Sequence, residues 1–485
     1  RSHPSSAEEG KTPCNARAVL PSLLMALLLT LPASVFAQTF RPPDIPSPDG
    51  TTRLHLAVRS NDVAEVQRLL RTGSNPSAAN RYGVTPLYLA AEIGKGEIFS
   101  MLVKAGADTK AELPGGQTLL MTAARSGNLD AVKLLLERGA DPNAREKTNQ
   151  ETALMWAAGE NHPEVVKVLV ARGAESNARS ATLEYKQDRF GLEGVVTILP
   201  RGNWTPLMIA ARQGSLEAAQ ALVESGASPN LTDPDGTTAL LIAIINGHYD
   251  TAAMLVNKGA DPNIGDSAGM GALYAAADMS TLIEIYGRPP QKSSDRLNAV
   301  GLMKVLLDHG ANPNAQLKAA TLQRVHTPGD RNLGEGTTAL MRAARNGDVA
   351  AMRLLLDRGA DPSMEQKNKV TALMLASGLG RGLGVFNDEY ATEPQMLEAV
   401  KVLLEHHVDV NATNDAGQTA LHFAALSMDS VVELLARNGA KLDAKDRQGR
   451  TPMDMANGKG GPGRAGQAAS PRQSTIELLR KLGAQ

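Results

Sequence analysis

A phrase that recurs about every 33 residues constrains this chain more than any other feature. It reads Gly-x-Thr-x-Leu-x-x-Ala-Ala, then an amphipathic stretch, then Leu-Leu-x-x-Gly-Ala-Asp-Pro-Asn. Thr52, Thr85, Thr118 and Thr152 head successive copies spaced 33, 33 and 34 residues apart. The phrase resumes at Thr205, Thr238, Thr338, Thr371, Thr419 and Thr451, with a degenerate copy at Gly271. A period of this size means a stacked array, because one unit cannot bury its own apolar face. The expected fold is all-α: one α-solenoid of about eleven helix-turn-helix units over residues 51–485. Such an array offers a long surface and no obvious place for a catalytic pocket.

One copy, Gly116 to Asn143, carries the local logic. The Thr118 hydroxyl can accept from a free amide of the first helical turn. In other copies Pro86, Pro206 and Pro452 take the next position, where a missing amide costs nothing. Leu119, Leu120, Ala123 and Ala124 give a short helix whose small alanines allow close stacking. Gly127 and Asn128 break it, and Ala131, Val132, Leu134, Leu135 and Leu136 recur at helical spacing in a second, antiparallel helix. Gly139 ends that helix in the left-handed conformation, and Asp141, Pro142 and Asn143 are turn formers.

This pattern resembles the ankyrin repeat. Thr85-Pro86-Leu87 with Ala90-Ala91, and Gly139-Ala140-Asp141-Pro142-Asn143, stand at that family's spacing. The resemblance implies paired helices in a curved solenoid with hairpin-like loops along one edge. It also implies a concave face of loop tips and first helices that binds other proteins. The family favours His at the fourth position of Thr-Pro-Leu-His, where it ties neighbouring loops together. Here only His55 and His422 occupy it; Tyr88, Met121, Met155, Met208, Leu241, Met341, Met374 and Asp454 stand elsewhere. Apolar packing is expected to replace the polar tie at those sites, so the family's loop network is not assumed here.

The termini of the charge balance exclude some partners. With 50 basic and 51 acidic residues, a formal charge of −1 and no long single-sign run, the chain lacks the basic stripe of a nucleic-acid binder. Aromatics at 3% also argue against base-stacking platforms. Residues 1–37 differ from the rest: Lys11 and Arg17, an apolar run from Ala18 to Leu31, then Pro32-Ala33-Ser34-Val35-Phe36-Ala37. That order predicts a secretory signal peptide cleaved after Ala37, leaving an exported, periplasmic or secreted protein without membrane insertion. Cys14, the only cysteine, precedes the apolar run, so the mature chain would hold no disulfide, thiolate metal site or lipid-bearing cysteine. Residues 38–50 carry Pro42, Pro43, Pro46 and Pro48 and read as a stiff linker.

Inserts interrupt the period near residues 178–202, 279–298, 315–335, 378–394 and 458–470. They hold Tyr185, Phe190, Tyr286, Phe386 and Tyr390, a large share in a chain so poor in aromatics. These rings serve either as binding anchors or as covers over the array's own apolar surface. Val195-Val196-Thr197-Ile198-Leu199 reads as one short strand pairing back across its insert.

Six residues are candidates for partner contact. Arg59, Arg125, Arg212 and Arg345 share the position after Ala-Ala (Ala-Val in the first copy) and suit carboxylates or carbonyls; a solvated or internally paired face is the plain reading. Trp204 and Tyr82 sit at loop positions, Trp204 either as a contact or packed on its insert. Trp156 takes an apolar position within a first helix and reads as core. The chemistry-bearing motifs fail. Gly378–Gly384 follows a short helix and lacks dinucleotide-loop spacing, and Gly458-Lys459-Gly460-Gly461 lacks the Ser or Thr of a phosphate loop. His406, His407 and Asp409 do not share a face, so no metal or cofactor is expected. The function expected is a non-catalytic scaffold for a polypeptide partner. The competing reading is an enzyme or small-ligand receptor assembled from the inserts over the middle units, and self-association through the array edges is a third.

Overall fold

The computed structural model describes residues 46–184, 189–192, 195–198, 202–281, 295–320, 333–380, 391–459 and 470–484. The expected signal peptide, residues 1–37, and most of the Pro-rich linker therefore lie outside the described residues, as do the central parts of four inserts. The described helices come in pairs: α1 (Arg53–Arg59) and α2 (Val63–Arg71), α3 (Pro86–Ile93) and α4 (Gly96–Lys104), α5 (Leu119–Arg125) and α6 (Leu129–Glu137), α7 (Ala153–Gly159) and α8 (Pro163–Ala171). A hairpin, β1 (Arg189–Leu192) and β2 (Val195–Ile198), follows. Then come α9 (Pro206–Gln213) and α10 (Leu216–Glu224), α11 (Ala239–Ile245) and α12 (Tyr249–Asn257), α13 (Ala272–Met279) and α14 (Ala299–Asp308), α15 (Ala339–Arg345) and α16 (Val349–Asp357). The array closes with α17 (Ala372–Ala376) and α18 (Glu393–Glu405), α19 (Ala420–Ala424) and α20 (Asp429–Arg437), α21 (Pro452–Ala456) and α22 (Gln473–Leu482).

Odd-numbered helices pack on odd-numbered neighbours and even on even, so two parallel helix layers run the length of the array without a break. The solenoid is all-α, as the repeat predicts. Among the described residues, the insert after α8 adds the one sheet, an antiparallel pair with Phe190 opposite Thr197 and Leu192 opposite Val195. A bridge between Thr182 and Gly202 closes its base. The expected strand is therefore present, with Arg189–Leu192 as its partner.

Most first helices start where a threonine hydroxyl accepts from the amide three residues on, as Thr118 does from Met121 at 3.2 Å; α13, headed by Gly271, and α19, headed by Thr419, lack that bond. The apolar residues that replace histidine at that third position are buried: Met121, Met155, Met208, Leu241, Met341 and Met374. At that position a polar tie to the next loop is made where histidine stands. His55 and His422 do reach the next loop, through Nε2 to the carbonyls of Val84 at 3.0 Å and Arg450 at 3.1 Å. Backbone also joins adjacent tips, with or without a histidine. The amides of Arg81, Lys147, Ser267, Lys318 and Lys367 donate to Asp49, Gly115, Asp235, Ala268 and Glu335 in the preceding tip, at 2.8 to 2.9 Å. Adjacent tips need no side-chain tie because their backbones already meet. Within the tips, carboxylates and amides hold the turn, as where Asp233 accepts from the Asp235 and Thr237 amides at 3.0 and 2.8 Å.

Candidate functional site

The first-helix layer turns one face away from the core, on the residues four and seven positions after the capping threonine. Along the first of these rows stand Leu56, Leu89, Thr122, Trp156 and Ile209 in the N-terminal five pairs. Leu56 is 55% exposed, and Leu89, Trp156 and Ile209 are half-buried. The same row is buried from α11 onward, at Ile242, Ala275, Arg342, Leu375 and Phe423. All seven residues of α11 and all seven of α15 are enclosed. Along this row the accessible positions named therefore fall in α1 through α9, with Thr122 the one buried among them.

The structure separates the six predicted contact residues. Arg59, Arg125 and Arg212 are exposed at the ends of their helices. Arg345 is 1% exposed, with Nη2 3.4 Å from the Gly380 carbonyl, and so does not belong to the accessible set. Its neighbours in sequence repeat the pattern, but the chain at Gly378–Gly380 packs over it. Tyr82 is 54% exposed at its loop tip, where the Arg81 guanidinium lies 4.6 Å from the ring centroid and donates to the phenol oxygen. Trp204 is half-buried: its backbone amide donates to Ser180 Oγ at 2.9 Å and its carbonyl accepts from the Ser180 amide at 2.9 Å. The Arg212 guanidinium stands 5.1 Å from its ring.

Trp156, read from sequence as core, is half-buried on this face. The Arg125 guanidinium lies 5.2 Å from its ring, and its Nε1–H donates to Glu151 at 2.9 Å. Burial pushes the Glu151 carboxyl up, against the opposing pull of that indole hydrogen bond. Arg125 also pairs with Glu92 at 3.5 Å. Both tryptophans of the chain thus sit under arginines, Trp156 under one from the preceding unit and Trp204 under one from the first helix that follows it, a cation–π arrangement that fixes ring and guanidinium together. The signal available in sequence was the variety of Trp156's row, which runs through Leu, Thr, Trp, Ile, Arg and Phe while the row that follows it is alanine throughout.

A family model described as ankyrin repeats (3 copies) matches residues 25–113, 105–180, 190–280, 295–383 and 389–461. The chain belongs to the ankyrin repeat family. Ankyrin repeats are generally protein–protein interaction modules, and the exposed row lies on the first helices of this ankyrin array.

The ankyrin array also carries a groove of about 560 Å³ at its helix-turn edge. Ser280, Thr281, Asn346, Asp348, Gln395 and Glu398 are among its lining residues. It lies between the roots of the inserts that follow α13 and α17. Beneath it, Arg342 and Asp278 form a buried ion pair, Asn346 donates to Thr281, and Ser280 donates to Asp348 at 2.6 Å. Among the described residues no group of three or more His, Cys, Asp or Glu is placed to hold a metal. No described helix is long and apolar enough to cross a membrane.

Proposed function

We propose that this ankyrin array is a non-catalytic scaffold that binds a polypeptide through the first-helix and loop face of its N-terminal five helix pairs. The observation that carries the reading is the row of Leu56, Leu89, Trp156 and Ile209 beside arginines held against aromatic rings. Tryptophan and arginine are the residue types that dominate binding energy when water is excluded around them. Their stacked partners and a pre-assembled helix layer mean that little ordering is left to be paid on association. The aromatics of the inserts, which lie mainly outside the described residues, would add specificity at the rims.

The site residues of this proposal are Arg59, Tyr82, Arg125, Trp156, Trp204 and Arg212. Chemical cross-linking of the full chain in a native envelope extract, followed by mass spectrometry, tests it. Cross-links from a polypeptide should concentrate on α1 through α9, and an Arg59→Ala, Arg125→Ala, Arg212→Ala bait should lose them. A partner held equally by both baits would move the site to the inserts or the second-helix layer. The groove between Ser280 and Glu398 is where the competing small-ligand reading would have to act. Light scattering of the same preparation separates a second copy of the chain from a foreign partner.

We further propose that residues 1–37 direct export and are removed. The support is the basic, apolar and small-residue order that ends at Ala37. N-terminal sequencing of the chain recovered from the envelope should begin at Gln38; retention of the apolar run would refute cleavage.

A further inference from the structure

One departure from the repeat builds a wall of the groove of about 560 Å³ at the helix-turn edge. α18 has 13 residues, whereas every other described second helix has nine or ten. Its C-terminal end keeps the common register, since His407 follows it where Gly359 follows α16. The surplus is therefore one extra turn at the N-terminus, and it carries Pro394 and Gln395 into the groove lining. This turn is seated directly on the preceding unit. A Cβ at Gly347 would meet Ala391 Cβ at 2.8 Å, Met396 Sδ at 3.2 Å and Gln395 Cβ at 3.3 Å.

The polar side chains of the groove are held in place by bonds behind them. Asn346 Oδ1 accepts from Arg342 at 3.0 Å and its Nδ2 donates to Thr281, so the buried Asp278–Arg342 pair fixes which way this amide faces. Asp348 accepts from Ser280 at 2.6 Å and from the Ala351 amide at 3.0 Å. Gln395 Oε1 accepts from the Thr392 amide at 2.8 Å, which leaves Nε2 as a donor. Glu398 meets Lys401 through Oε1 at 2.6 Å, which leaves Oε2 as an acceptor. Amide N–H groups and carboxylate lone pairs thus remain available side by side. Val300 and Val349 add half-buried apolar surface. Among the described residues that line the groove, none is Lys, Arg or His.

Two carboxylates without a lining cation repel an anion. An apolar ligand would strip water from these groups and leave them unpaired. A hydroxyl both donates and accepts, so it can bridge an amide and a carboxylate, and a sugar ring adds C–H faces for the valines. We propose that this groove binds a neutral saccharide, with its hydroxyls shared between the amides of Asn346 and Gln395 and the carboxylates of Asp348 and Glu398. The volume suits such a ligand, since small-molecule sites span about 300–1,000 Å³. This is a second site, separate from the polypeptide face and independent of it.

Screening the full chain on an array of immobilised neutral and acidic glycans tests the assignment. Neutral glycans should bind, and sialylated or uronic-acid glycans should not. Full competition by the matching free oligosaccharide would support a free sugar as the ligand, and resistance to it a glycan carried on a polymer. Glu398→Ala and Gln395→Ala, both at exposed positions, should each weaken binding about tenfold while the thermal midpoint stays near that of the parent. The Arg59→Ala, Arg125→Ala, Arg212→Ala chain should bind the same glycan as the parent does. Loss of binding in that chain, equal binding by the Glu398 and Gln395 variants, preference for acidic glycans, or an array on which no neutral glycan binds would each overturn the site. None of these outcomes would touch the protein-binding reading, which rests on other residues.

Discussion

His422 is enclosed, and both of its ring nitrogens are committed. Nδ1 accepts from the Thr419 amide at 3.1 Å, and Nε2 donates to the Arg450 carbonyl at 3.1 Å. Protonation would set a second donor against the Thr419 amide. Burial also disfavours the cation and holds this imidazole below its ordinary value, more strongly than the bond to Arg450 raises it. The unfolded chain therefore takes up the proton first, near pH 6.5. The sign follows: stability is complete above that pH and declines as pH falls below it. The denaturant midpoint of the C-terminal pairs should drop between about pH 7.5 and about pH 5.5, and the drop should shrink in His422→Gln. Equal drops in both proteins would take His422 out of the explanation. The tie made by this histidine was legible in its place after Thr419. The half-exposure of Trp156 was not, because helical spacing alone does not say where neighbouring units stop covering a helix.

At the scale of the element, the Asn of Gly-Ala-Asp-Pro-Asn does more than form a turn. Asn143, Asn230, Asn263, Asn314 and Asn411 each donate Nδ2 to the glycine carbonyl that ends the next unit's second helix, at 2.8 to 3.2 Å. Each also accepts, through Oδ1, from the amide two residues beyond that glycine, at 2.8 to 2.9 Å. The side chain thus latches one unit to the following one, whatever insert lies between them. Asn263 reaches Gly310 and Asn312 across the insert that follows α13. Asn263→Ala should cost about 1–2 kcal/mol and speed hydrogen exchange at the Asn312 amide, while distant units keep their protection. Unchanged exchange at Asn312 would show the latch to be dispensable. From sequence the helices and their caps were readable, since each is a local pattern of three or four residues. The latch was not, because its two ends lie 47 residues apart.

Over the whole molecule, nearest-neighbour contacts are the only source of cohesion, so one weak junction can divide the array. The junction of α13 and α15 carries the buried Asp278–Arg342 ion pair. Removing one partner leaves a buried charge, and Asp278→Ala should cost about 3–5 kcal/mol. Unfolding should then split in two. Trp156 and Trp204, the only tryptophans, lie on the N-terminal side of the junction. Their fluorescence midpoint should stay near that of the parent while circular dichroism becomes biphasic; coincident transitions would mean that the junction does not govern cooperativity. Replacing both residues by leucine should recover most of the loss. By itself the sequence determined the period, the paired helices, their threonine caps and glycine ends, and membership of a stacked array, because these depend on residues close along the chain. The tertiary structure alone decided which stretch of the first-helix face stays open. It enclosed Arg345, left Arg59, Arg125 and Arg212 exposed, and brought Arg125 over Trp156, because burial depends on what packs against a residue from units far away in sequence.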